Sequence, residues 1–276
     1  MTSSPPNTHP QLRYVAFLLF LFVAAFFIRK EPIEQPLEPI AEPVVVEVVE
    51  LSEQIPDFEA MLDVQEKKTT FFNFLAPYIE AINQRILSQR QQILSLREKL
   101  NAGRALTRNE MNYLSGLRVQ YELENEMLNT RNLITRLLKR ADIIPSSLAL
   151  AQAANESAWG TSRFAQEGNN FFGQWCYSEG CGIVPTRRRE GANHEVKSFA
   201  NVLESVEAYI MNLNTFPNYQ HLRDIREELR LKGLPIDGIT LSEGLDTYSE
   251  RGNEYIFELQ SMIYSNNLLE LDQDDV

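Results

Sequence analysis

Apolar positions fall at helical spacing over most of this chain. Ile79, Ile82, Ile86, Ile93, Leu96 and Leu100 recur every three or four residues, which predicts a helix with one buried stripe. Gln89 and Arg90 interrupt the stripe, and Asn101-Ala-Gly103 ends it. Thr107-x-x-Glu110 is a capping-box pattern, in which hydroxyl and carboxylate each accept from the other residue's backbone N–H. It predicts a second helix running toward Ala141. Residues 58–142 therefore read as a helical hairpin subdomain that packs against and supports the C-terminal half of the chain. A partner-binding coil is the alternative. From Ile143 the pattern changes. Pro145 suits the first turn of a helix that continues over Ser146–Trp159. Asn, Gly, Cys and Pro then gather over 168–193, predicting loops with at most a small hairpin. Helical spacing returns at Val202, Val206, Ile210 and Leu213, and again at Leu222, Ile225 and Leu229, where Gly233 is a natural stop. Thr240-x-x-Glu243 is a second capping-box pattern, and Tyr255, Leu259, Met262 and Ile263 mark a last helix. There are no internal repeats. The expected fold is mainly α.

Two N-terminal stretches depart from this pattern. Residues 14–28 carry no charge and are flanked by Arg13 and by Arg29-Lys30. The run is short of the ~20 residues a bilayer span needs, but snorkelling cations would extend it. Residues 1–30 are expected to be a signal anchor, with cleavage after Val23-Ala24-Ala25 as the alternative. Either route takes the rest of the chain out of the cytoplasm. Residues 31–57 hold five prolines and eight acids without one base. Prolines that remove donors, and acids that repel, predict an extended linker.

The charge balance reflects these segments. The 276 residues sum to −12, yet residues 58–269 carry only −3. The linker and the acidic tail at 271–276 hold the excess. No broad basic face is present, so nucleic acid is not an expected partner. At 43% hydrophobic the chain can bury a real core. Two cysteines exclude a disulfide-framework miniprotein and any zinc cluster built from thiolates alone. His9, His194 and His221 show no ligand spacing, so neither a metal nor any other cofactor is expected.

One helix carries a candidate for chemistry. In Leu148–Gly160 small and apolar residues dominate, and Leu148, Gln152 and Glu156 share a face at i, i+4 and i+8. A carboxylate at a helix C-terminus faces the unfavourable end of the dipole, and burial beside Trp159 would also favour its protonated form. A carboxyl protonated near neutral pH is what a general acid for glycosidic cleavage requires. An ordinary surface glutamate is the bland reading.

This stretch resembles the signature of glycoside hydrolase family 73, the endo-β-N-acetylglucosaminidases of peptidoglycan. The resemblance is carried by Ala151, Ala154, Glu156-Ser157, Trp159-Gly160 and Ser162, then by Asn170-Phe171-Phe172-Gly173. Phe199, Glu204-Ser205-Val206 and Tyr209 resemble a second family motif, and Tyr248 to Tyr255 a third. The match covers about 143–268. The order of anchor, acidic linker, helical region and Cys-Tyr-Ser-Glu-Gly-Cys insertion resembles the Bax group of Gram-negative bacteria. The resemblance implies a lysozyme-like (α+β) glucosaminidase domain over 143–270, attached to the inner membrane with its catalytic part in the periplasm. Peptidoglycan glycan strands are the implied substrate.

Carried over residue by residue, Glu156 is the implied catalytic acid. Tyr248 lines the cleft, and Asn170 and Phe171 shape its floor. The second carboxylate is expected at Glu190, with Glu195 as the alternative, at 34 and 39 residues after Glu156; where the substrate's own N-acetyl group is the nucleophile, none is needed. Trp175 and Tyr177 are expected to stack on sugar rings or to close the core. Arg187-Arg188-Arg189 is either a solvated loop or a contact for stem-peptide carboxylates. In an exported domain a Cys176–Cys181 disulfide is the default. A catalytic thiol, or a metal set of Cys176, Cys181 and His194, are the sharper alternatives.

Overall fold

The computed structural model describes residues 51, 54–186, 188 and 191–273. The expected anchor, most of the linker, and Arg187, Arg189 and Glu190 lie outside them. Among the described residues no helix is long and apolar enough to cross a membrane.

The chain is mainly α, as its spacing predicts. Helix α1 (Val64–Asn101) is the longest element, with Asp63 as its N-cap accepting from Glu66 N at 2.8 Å. Its stripe is buried as expected, but the helix begins fifteen residues before Ile79 and runs through Pro77. Helix α2 (Arg108–Gln120) opens on the Thr107 capping box, both of whose hydrogen bonds form. Lys99 at the end of α1 reaches Glu110 at 2.8 Å and closes the hairpin. The second helix does not run on to Ala141. It stops at Gln120, Glu122 turns left-handed with φ 53°, and α3 (Thr130–Arg140) begins after a new Asn129 cap. The break lets both Tyr121 and Leu123 bury completely, and Arg118 satisfies the freed carbonyls of Leu123, Glu124 and Glu126.

Helix α4 (Ser146–Glu156) is buried on every side from Ser146 to Ala154, so it is the central helix of the domain. Alanines at 149, 151, 153 and 154 let its neighbours approach closely. A short α5 (Arg163–Gly168) precedes a three-stranded sheet ordered β1-β3-β2, with β1 (Trp175–Cys176) and β2 (Gly182–Ile183) each antiparallel to β3 (Glu195–Lys197). Helices α6 (Val202–Thr215), α7 (Gln220–Lys232), α8 (Gly238–Ser242) and α9 (Asn253–Ser265) complete the shell. Gly233 ends α7 at φ 64°, as its position predicts. The Thr240-x-x-Glu243 pattern is not a cap. Asp237 caps α8 instead, accepting from Thr240 N at 2.8 Å, and Thr240 lies one turn inside.

Two apolar clusters result from this arrangement. One joins the first half of α1 (Phe71, Leu75, Ile79, Ile82, Ile86) to α4, α6, α8 and α9. The other joins the second half of α1 (Ile93, Leu96) to α2 and α3. Gln89 and Arg90, the interruption in the stripe, mark the crossing. Gln89 bonds Gln120 and the Tyr121 hydroxyl, and Arg90 bonds the carbonyls of Leu138 and Ala141. The first cluster thus packs the first half of α1 together with residues from Ile143 onward, and the second stays with α1, α2 and α3.

Candidate active site

Glu156 is the last residue of α4, with its carboxyl partly buried at the dipole's negative end. Helix continuation through Trp159 does not occur. Ala158, Trp159 and Gly160 all take left-handed conformations, at φ 52°, 59° and 76°. Each of the two non-glycine residues costs on the order of 1–2 kcal/mol in that conformation. Ser157 closes the turn: its hydroxyl donates to Ala153 O at 2.6 Å and accepts from Gly160 N at 2.8 Å.

A chain of buried hydrogen bonds leads to the carboxyl. Tyr209 Oη donates to Gln152 Oε1 at 2.6 Å, and Gln152 Nε2 donates to Tyr255 Oη at 3.0 Å. Tyr255 Oη then donates to Glu156 Oε1 at 3.0 Å. With Glu156 ionised this direction is fixed, because an amide nitrogen only donates and a carboxylate only accepts. Gln152 sits one turn before Glu156 and is fully buried. Burial is the largest influence on Glu156 and raises its carboxyl above the usual range. The Tyr255 hydrogen bond and the Arg251 charge act against it, and the Glu258 charge acts with it. Tyr248 lies against this group, its ring parallel to Tyr255 at 5.3 Å and next to Tyr219 at 5.9 Å. Phe172 stacks on Tyr209 at 3.8 Å.

The loop after α5 supplies a facing wall. Asn170 is buried and spends its whole side chain on it. Nδ2 donates to Gln174 O and Lys197 O, and Oδ1 accepts from Phe172 N and Gln174 N. Phe171 is fully buried in the core. This bracket sets Gly173 against the carboxyl, where an added Cβ would come within 3.7 Å of Glu156 Oε2. Two residues on, Trp175 is 58% exposed and stacks on His194 at 4.3 Å, while Tyr177 is 66% exposed. Neither ring closes the core.

Cys176 and Cys181 are joined in a disulfide, so neither sulfur is free as a nucleophile or thiolate ligand. Glu195 lies beside them and clamps the loop they close, accepting from Gly180 N at 3.1 Å and Gly182 N at 2.8 Å. These backbone donors hold its carboxyl below the usual range. Glu195 is thus committed to the loop, and Glu190 lies outside the described residues. Arg188 donates to His194 O at 3.3 Å.

Glu156, Gly173 and Tyr248 are therefore brought together, with Trp175 two residues beyond Gly173. Asn170 and Phe171 act from behind the wall. The residue roles that spacing alone does not supply are those of Gln152, Tyr209 and Tyr255. Gln152 is visible in the sequence on the face of Glu156, and the two tyrosines are visible as motif letters without a role. Tyr219 gives no signal.

A helical domain with one raised carboxyl at the end of its central helix is the arrangement of a glycosidase of the lysozyme kind. Residues 131–268 match the family described as mannosyl-glycoprotein endo-beta-N-acetylglucosaminidase, and the chain belongs to this glucosaminidase family. Protein Bax of Escherichia coli (strain K12) is 32% identical over 219 residues, which are 79% of this chain and 76% of that protein. No solved structure matches the chain.

Proposed function

We propose that this protein is a peptidoglycan hydrolase, an endo-β-N-acetylglucosaminidase that cleaves the β-1,4 bond after N-acetylglucosamine. The observation that carries the reading is Glu156, whose carboxyl burial raises above the usual range and which Tyr255 hydrogen-bonds. In this reading Glu156 donates its proton to the leaving oxygen as the C1–O bond breaks. Tyr248 lines the sugar site, and the exposed Trp175 offers a face for a pyranose ring. Asn170 and Phe171 hold the floor. Glu190 is the proposed second carboxylate, which activates the incoming water. We place the enzyme in the periplasm, tethered to the inner membrane through residues 1–30.

One observation favours a second reading. Glu195 is engaged by backbone donors, so a mechanism needing only one acidic glutamate also fits. The substrate's own acetamido oxygen would attack C1 while Glu156 protonates the departing oxygen, and water would open the resulting ring. Attack by the sugar's own O6 would instead make this a lytic transglycosylase. The test is mass spectrometry of products from purified peptidoglycan treated with the protein or with Glu156→Gln. Reducing-end N-acetylglucosamine fragments, lost in the variant, are expected. Products lighter by one water would assign the transglycosylase. Full activity in Glu156→Gln would sink the assignment of the acid.

A further inference from the structure

Local preference would carry α4 on through Trp159, and the fold overrides it. The turn that replaces the helix has two non-glycine residues in the left-handed region, so it needs support from outside. The support comes from the N-terminal segment, about seventy residues ahead of the matched 131–268. The buried Phe58 ring sits on Gly160, where an added Cβ would meet Phe58 Cδ2 at 2.4 Å. Phe58 in turn packs edge-on against Phe71 and Phe74, at 5.6 and 6.1 Å. Trp159 is gripped edge-on by Phe71 at 5.7 Å and Phe72 at 5.3 Å, with Lys68 Nζ over its ring at 5.0 Å. One amide ties the two pieces together: Gln166 Nε2 donates to Gly160 O at 2.8 Å and to Pro56 O at 3.3 Å.

We infer that Phe58, seated on Gly160, is a positioning residue for Glu156. With Phe71 and Phe72 it holds the left-handed turn that ends α4 and so fixes where the carboxyl points. The inference rests on the role proposed for Glu156, but its test does not depend on activity alone.

The experiment uses the full chain as Phe58→Ala, Phe58→Leu and a control, Leu117→Ala, which opens a cavity in the other apolar cluster. Two quantities are read at a temperature where circular dichroism shows each variant folded. One is kcat and KM on peptidoglycan. The other is the titration of the Glu156 carboxyl by carbon NMR, assigned by its loss in Glu156→Gln. Phe58→Ala should lose about tenfold or more in kcat with little change in KM. Its Glu156 should titrate at lower pH than in wild type, as water gains access. Phe58→Leu should recover most of both, and Leu117→Ala should change neither. Should Phe58→Ala not fold, Gly160→Ala carries the test. Its Cβ displaces the ring, and Phe58→Leu in that background should restore part of the kcat. An unshifted Glu156 titration in a folded Phe58→Ala, or an equal loss in Leu117→Ala, overturns the inference. If wild type releases nothing from peptidoglycan, the proposed function fails, while the titration still decides the role of Phe58.

Discussion

At the scale of single residues the site is organised by protons with assigned directions. Gln152 can donate to Tyr255 only through nitrogen, so Tyr255 turns its own proton toward the ionised Glu156. A donor to a carboxylate favours the ionised form, so here Tyr255 opposes the effect of burial. Tyr255→Phe should therefore raise the Glu156 carboxyl further. The falling limb of the pH–kcat profile should move to higher pH, while kcat drops because the acid is less well aimed. A limb that moves to lower pH would contradict this account. The same residue makes a stability prediction. A carboxyl raised on folding contributes stability below its unfolded value and loses it as pH rises through the folded value. Glu156→Gln should then melt higher than wild type at neutral pH, with the difference shrinking toward pH 4. A difference independent of pH would show that the carboxyl is not raised.

At the scale of elements, what was legible in the sequence depended on how local each determinant is. The α1 stripe, the Thr107 cap and the Gly233 stop are set within one turn of chain, and they stand where spacing put them. The ends that moved are set by distant partners. Helix α2 stops early because Tyr121 finds Gln89, thirty-two residues away. Helix α4 stops at Glu156 because Phe58 and Phe71 claim the turn beyond it. Thr240 is not a cap because Asp237, three residues earlier, already takes its N–H. For the candidate site, Glu156 was visible from its helix and its motif. The Tyr209–Gln152–Tyr255 relay was not, because it joins three helices. The insertion closed by Cys176–Cys181 can be tested at this scale. Its loop is short, so in the chain-entropy account the bond is worth only about 2 kcal/mol. Cys176→Ser/Cys181→Ser should stay folded, with a melting temperature lower by roughly 5 °C. Losses should concentrate in substrate affinity, because the exposed Tyr177 lies in the loop and the exposed Trp175 directly precedes it. Unfolding of the whole domain at room temperature would show that the loop supports more than its own shape.

Across the whole molecule, Asp142 ties α1 to α7. It is almost fully buried at the junction of α3 and α4. Arg90 of α1 approaches it at 3.2 Å, and Arg230 of α7 grips it through two nitrogens at 2.9 and 3.2 Å. Arg226, also buried, spans the same junction by bonding the carbonyls of Lys139, Asp142 and Ile143 and the Asn214 side chain. Burial alone would raise the Asp142 carboxyl, but the charges of Arg226, Arg230 and Arg90 outweigh it and hold it low. Such a pair adds little over an apolar junction, yet removing one member leaves buried charges without a counterion. Asp142→Asn should therefore cost about 3–5 kcal/mol, far more than an exposed pair such as Lys232–Glu228. The lowered value sets the sign of the pH dependence. Stability from Asp142 is present above the ordinary aspartate range and is lost as pH falls through the depressed one. The melting gap between wild type and Asp142→Asn should be widest at neutral pH and close toward strong acid. In the neutral range α1 should also gain hydrogen-exchange protection from Asp142, because Arg90 anchors that helix to the junction. A variant with wild-type protection in α1 and an unchanged melting temperature would show that the apolar core alone joins α1 to α7.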